Sequence, residues 1–141
     1  MSRPGRLPHF VITASALVSF NSSCSTSSSE QLFSRLRSLQ NDSTLAPYIL
    51  DIRGRGLMVA MEFASSEAVG APYDAVAPTQ NIKKGLASKV AKRCIEKGML
   101  LLTTSAYEVV RFIPALNISQ QDMDKGLAIF EEALREVVAE Q

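Results

Sequence analysis

Apolar residues recur at helical spacing once the chain passes residue 30. Leu32, Phe33, Leu36 and Leu39 form a stripe, with Arg35, Arg37 and Ser38 on the other side. Ser27 followed by Glu30 has capping-box spacing, so a helix is predicted over residues 30–40, with a loop over residues 41–47. Alternation then replaces the helical period. Residues 48–52 and 57–63 are predicted as strands; in the second, Leu57, Val59, Met61 and Phe63 share one face while Met58, Ala60 and Glu62 share the other. A strand that is mostly apolar on both faces is expected to be covered on both. Between the two strands stands Arg53-Gly54-Arg55-Gly56. Two glycines one residue apart permit a tight reversal or a bulge. A nucleotide-binding loop would need G-x-G-x-x-G opening into a helix, and this one opens into a strand. An arginine-glycine box for RNA would need many repeats, so the turn reading is preferred.

Residues 64–80, with Pro72 and Pro78, read as a long irregular connection. Asn81 is a fair N-cap for a helix over residues 81–97, whose stripe is Ile82, Leu86, Val90 and Cys94, widened by Ala87, Ala91 and Ile95. Lys83, Lys84, Lys89, Lys92, Arg93 and Lys97 lie around the opposite side, a basic face that is most often simply solvated. Gly98 takes the natural C′ position, with Lys97 at the negative end of the helix dipole. Residues 99–103 and 107–113 are predicted as further strands. Ser119 and Asp122 have capping spacing for a last helix over residues 119–139, with Met123, Leu127, Phe130, Leu134 and Val137 inward and a Glu131–Arg135 pair outward. The order helix, strand, strand, helix, strand, strand, helix predicts an α+β fold: a small, mainly antiparallel four-stranded sheet with helices packed mainly on one face.

Residues 1–29 differ from the rest. They hold no acid, carry Arg3 and Arg6, and end in a serine-rich run; the apolar stretch of residues 10–20 is too short to span a bilayer. A secretory signal and a mitochondrial transit peptide are both conceivable, but Pro4 and Pro8 spoil a targeting helix. A disordered or unmatched leader is preferred, with residues 25–29 as a flexible linker, a cytoplasmic location favoured over a mitochondrial one, and one domain over residues 30–141. The net charge of +1 argues against a nucleic-acid partner. Cys24 and Cys94 read as free thiols, and His9 is the single histidine, so neither a metal site nor Ser-His-Asp chemistry is expected.

The residue that demands a partner is Arg111, in Glu108-Val109-Val110-Arg111-Phe112-Ile113-Pro114. In a buried strand Arg111 would share a face with Val109 and Ile113, placing a permanent cation among aliphatic groups. It then needs carbonyls or an internal carboxylate, or else the carboxylate of a ligand held bidentately. On the residues alone the internal partner is the preferred reading.

Three blocks alter that preference: Asp51-Ile52-Arg53-Gly54-Arg55-Gly56-Leu57-Met58, then Lys92-Arg93-Cys94-Ile95-Glu96-Lys97-Gly98-Met99-Leu100, then Val110-Arg111-Phe112-Ile113-Pro114-Ala115-Leu116-Asn117-Ile118-Ser119. In this order they resemble the C-terminal small domain of class-III pyridoxal-phosphate aminotransferases, most of all the 4-aminobutyrate and related ω-amino-acid enzymes. The resemblance covers residues 30–141; Ala115, where the family often has a second proline, is a mild departure.

The resemblance implies that Arg111 holds a carboxylate of the amino donor or oxo-acid acceptor, so substrate recognition becomes the leading reading. It also implies a homodimer and a large domain carrying the Schiff-base lysine, the aspartate on the pyridinium nitrogen and the phosphate loops. Lys83, Lys84, Lys89, Lys92, Lys97 and Lys125 match none of the catalytic positions. The expectation is therefore a truncated aminotransferase fragment, with no catalytic residue of its own, that alone neither binds pyridoxal phosphate nor transaminates. The rival is a non-enzymatic module that docks on other subunits through exposed faces. No membrane association is expected.

Overall fold

The computed structural model describes residues 22–64, 85–104 and 107–141. Among these residues there are three α-helices: α1 (Ser22–Gln40), α2 (Leu86–Glu96) and α3 (Gln120–Ala139). Four strands accompany them: β1 (Ile49–Arg55), β2 (Met58–Phe63), β3 (Leu102–Thr103) and β4 (Val109–Phe112). The sheet order is β1-β2-β4-β3 with every pairing antiparallel, which is the α+β architecture expected from the sequence. Residues 1–21, the connection over residues 65–80, and Asn81, Ile82, Lys83 and Lys84 lie outside the described residues.

The helices pack on the face formed by Val59, Met61, Phe63, Val110 and Phe112, all buried. The stripe of α3 is inward as its periodicity requires: Met123, Leu127, Phe130, Leu134 and Val137 are buried, joined by Ala133. Its N-terminus is closed by Ser119, whose Oγ accepts from the Asp122 N–H at 3.0 Å and donates to that residue's carboxylate at 2.7 Å. Leu32, Leu36 and Leu39 of α1 are buried against the same layer.

Four expectations need correction. Helix α1 begins at Ser22, so the serine run taken for a linker is helical. Ser28 is buried and the Ser29 hydroxyl donates to the Gly56 carbonyl at 2.8 Å, so packing overrides a poor intrinsic propensity. Helix α2 starts at Leu86, and its N-cap is Gly85 at φ +96°, not Asn81. Ile95 falls off the stripe and is 54% exposed. Finally, β2 is covered on one face only: Met58 is 63% exposed, because no helix of the described residues packs on its side of the sheet.

The β1–β2 hairpin closes at Gly56-Leu57, so Arg53, Gly54 and Arg55 of the expected turn are instead the paired end of β1. Gly56 supplies a positive φ of +60° at the turn. At Gly54 the strands approach so closely that a Cβ would lie 2.2 Å from the Met58 carbonyl oxygen and 2.7 Å from the Val59 Cα.

Candidate functional site

Strand β4 is held from both sides. Val59, Ala60, Met61 and Glu62 of β2 pair with Phe112, Arg111, Val110 and Val109; Leu102 and Thr103 of β3 pair with Arg111 and Val110. Below the sheet, the Phe112 ring meets Phe130 of α3 edge-on, with centroids 4.9 Å apart and planes at 85°. Glu108, just before the strand, accepts from the N–H groups of Gly85 and Ala87 at 2.9 Å each, closing the N-terminus of α2. Arg111 thus sits on a strand fixed by ladder, ring contact and helix cap together.

Its environment differs from the expected one. Cross-strand partners point the same way, so Arg53, Ala60, Arg111 and Leu102 form one row on the face that no described helix covers. Arg111 is exposed, and among the described residues no carboxylate lies within ion-pair distance of it. The strand is buried through Val109, Val110 and Phe112, but the guanidinium is not enclosed in an aliphatic row. An internal partner is therefore not required for its solvation.

The other described arginines are mostly engaged. Arg35 pairs with Glu131, Arg135 with Asp42 and Glu131, and Arg93 with Glu96, Glu136 and Glu140. Arg53 is hydrogen-bonded to Asp51 at 2.9 Å and to Glu62, and these two bonds, Asp51's first, raise its pKa. A broad depression of about 740 Å³ between α1 and β1 includes Arg37 and Arg53, but Arg37 lies over the Phe33 ring at 5.4 Å. Arg55, at the hairpin end, and Arg111 have no carboxylate partner among the described residues. Only Arg111 also lines an apolar groove, of about 490 Å³, between the β3–β4 end of the sheet and the first half of α3, with Leu100, Leu102, Ile113, Pro114 and Ile118. A cation beside an apolar groove can hold an aliphatic anion by a forked pair of hydrogen bonds.

The described lysines do not fit the role of a pyridoxal-phosphate lysine. Lys97 Nζ is 2.8 Å from Glu136 and 2.9 Å from Glu132, which, Glu136 first, raise its pKa and hold it as a cation, whereas imine formation needs a free amine. Lys125 pairs with Asp122 at 3.5 Å, and Lys89 and Lys92 are exposed on α2. The α2 N-terminus already accepts a carboxylate from Glu108, so its Gly85 and Ala87 N–H groups are not offered to a phosphate. Cys94 is buried, and burial pushes its thiol up to about 12, which removes it as a nucleophile near neutrality. Among the described residues no cluster of His, Cys, Asp and Glu could hold a metal, and no helix is long and apolar enough to cross a membrane.

Three features escaped the sequence. The basic side of α2 is partly docked on α3 through Arg93 and Lys97, where simple solvation was expected. The Glu108 cap joins residues with no local signature. The Arg53–Asp51–Glu62 cluster could have been found: a two-residue hairpin turn sets Arg53 opposite Ala60 and Asp51 opposite Glu62.

The family described as "Aminotransferase class-III" matches residues 20–134. The acetylornithine aminotransferase of Clostridium acetobutylicum is 32% identical over 107 residues, 76% of this chain and 21% of its own length. The 5-aminovalerate aminotransferase of Pseudomonas aeruginosa is 33% identical over 109 residues, covering 77% of this chain and 22% of its own. The chain thus spans about a fifth of the length of these curated relatives. Among solved structures, the lysine aminotransferase from M. tuberculosis in the internal aldimine form superposes with a TM-score of 0.62 at 24% identity, covering 81% of this chain and 21% of that one. That likeness concerns the fold.

Proposed function

The chain belongs to the class-III aminotransferases, and from that premise we propose that Arg111 is its substrate-carboxylate arginine. In this reading residues 30–141 are the small domain of a pyridoxal-phosphate-dependent transaminase that moves an amino group from an ω-amino acid such as 4-aminobutyrate to an oxo-acid. The Schiff-base lysine is supplied by a large domain outside these 141 residues, and the working enzyme is a homodimer. The observation that carries the reading is the exposure of Arg111, without a carboxylate partner among the described residues, on a strand that borders an apolar groove. Acetylornithine, 5-aminovalerate and diaminobutyrate, the compounds in the relatives' names, are all amino-bearing carboxylic acids, which supports the class of substrate and leaves the chain length of the donor open.

The test joins the chain to a class-III large domain and measures Arg111→Ala. Losing a forked guanidinium–carboxylate pair is expected to reduce kcat/KM by about 2–4 kcal/mol with little change in Tm, and Arg111→Lys is expected to recover only part. A KM within about two-fold of wild type would refute the assignment. A second reading, a docking module that is not an enzyme, is favoured by the exposed Met58, Leu100, Leu102, Tyr107 and Leu116. Concentration-dependent sedimentation of the full chain, abolished by Met58→Lys, would favour it.

A further inference from the structure

Glu62 occupies the middle of the open sheet face, on β2, between two strands that carry opposite demands on it. On one side its direct cross-strand partner is Asp51 of β1. On the other its partner is Val109 of β4, so Arg111, two residues further along and pointing the same way, is its diagonal neighbour. Diagonal neighbours in an antiparallel pair are separated by roughly 7–8 Å, within reach of two long side chains. Two carboxylates directly opposite one another repel. With nothing else present, that repulsion and the attraction of the Arg111 guanidinium would both drive Glu62 toward β4. In the structure Glu62 turns the other way, because Arg53 Nη1 donates to Glu62 Oε2 and to Asp51 Oδ2 together. Glu62's side chain is 24% exposed, and Arg53's is 52% exposed.

We propose that Arg53 is a positioning residue that keeps Glu62 off Arg111, so that the Arg111 guanidinium stays open for the carboxylate of a ligand. The last step rests on the carboxylate-binding reading of Arg111; the retention of Glu62 by Arg53 does not. One cation thereby neutralises the Asp51–Glu62 repulsion and withholds from Arg111 a carboxylate that the strand register sets diagonal to it. Glu62 sets the specificity of the arrangement: released, it would occupy the guanidinium and compete with any carboxylate ligand.

The experiment follows the Nε–H and Nη signals of Arg111 by NMR in the full chain, with glutarate as the probe. In Arg53→Ala the Arg111 signals are expected to move to those of a paired guanidinium with slowed rotation, and Glu62→Gln added to it is expected to return them to the wild-type position. Arg53→Gln, which keeps length and removes charge, carries the same expectation and guards against loss of the fold; Arg53→Lys should stay near wild type. Glutarate should bind about five-fold more weakly to Arg53→Ala, and the added Glu62→Gln should restore it, a coupling that a merely structural role for Arg53 would not produce. Arg111 signals that are unmoved by Arg53→Ala and Arg53→Gln, or moved but not returned by Glu62→Gln, overturn the retention of Glu62. Signals that do move and return, in a chain whose Arg111 ignores glutarate, uphold that retention and refute the carboxylate reading instead.

Discussion

Glu108 and Ala87 lie 21 residues apart and share a hydrogen bond of 2.9 Å, from the Ala87 N–H to Glu108 Oε2, while Glu108 Oε1 accepts from Gly85. The carboxylate that precedes the Arg111 strand is thus the N-terminal cap of α2. Its backbone also accepts from the Phe63 N–H at 2.7 Å, so one residue ties helix, hairpin and β4 together. Glu108→Ala is expected to destabilise the chain by about 1–2 kcal/mol, in the range of cap removals, and Glu108→Gln by less because the amide oxygen still accepts. The midpoint of urea unfolding measures both.

The second expectation concerns the ring contact under Arg111. Phe130 is fully buried and its ring meets Phe112 edge-on. Phe130→Ala should cost about 3–5 kcal/mol, mostly the cavity left in the core. A double-mutant cycle with Phe112→Leu should leave a coupling of about 0.5–1.5 kcal/mol assignable to the rings. Equilibrium denaturation of the four proteins provides the numbers.

Much of this core was legible in advance because the periods are strong where packing is deepest. Leu57, Val59, Met61 and Phe63 alternate and are all buried; Met123 to Val137 repeat at helical spacing and are buried too. Alternation assigned Arg111 and Met58 to faces correctly but could not say which face carries a second layer, since both choices satisfy the same period. That is why Arg111 was expected in an aliphatic setting and stands exposed. The start of α1 was misplaced for the opposite reason: serines read as linker by propensity, and only tertiary contacts such as Ser29 to Gly56 reveal the helix. The cap of α2 was invisible because Glu108 reaches it from 21 residues further along the chain.

A third expectation is a pH dependence. Asp42 accepts from Arg135 at 2.7 Å and from the Thr44 N–H at 2.9 Å, and these contacts, the arginine first, lower its pKa from 3.8. A carboxyl depressed in the folded state adds stability above its unfolded pKa, and that stability is lost as pH falls through the folded value. The Arg135–Asp42 contribution should therefore be complete by pH 6 and decline below about pH 4. Asp42→Asn should flatten the acid limb of a Tm-against-pH curve while leaving its alkaline limb unchanged. An acid limb identical in the two proteins would remove Asp42 from the account.

The last expectation sets two glycines against each other. At Gly54 an added Cβ would lie 2.2 Å from the Met58 carbonyl oxygen and 2.7 Å from the Val59 Cα. Both obstacles are backbone, so no rotamer change relieves them, and the β1–β2 pairing must open at the point where Gly54 faces Val59. Gly126, inside α3, has nothing within 4 Å of an added Cβ. Gly54→Ala should destabilise the chain by about 1–3 kcal/mol or more, as overpacking against fixed atoms does. Gly126→Ala should stabilise it by about 0.5–1 kcal/mol, because alanine loses less backbone freedom on entering a helix. The two also differ in reach. Opening the hairpin displaces Arg53 from Asp51 and Glu62, so Gly54→Ala should alter the Arg53 side-chain signals as well as the denaturation midpoint, whereas Gly126→Ala should move the midpoint alone. A Gly54→Ala midpoint equal to wild type, with unmoved Arg53 signals, would mean that the hairpin tolerates the methyl.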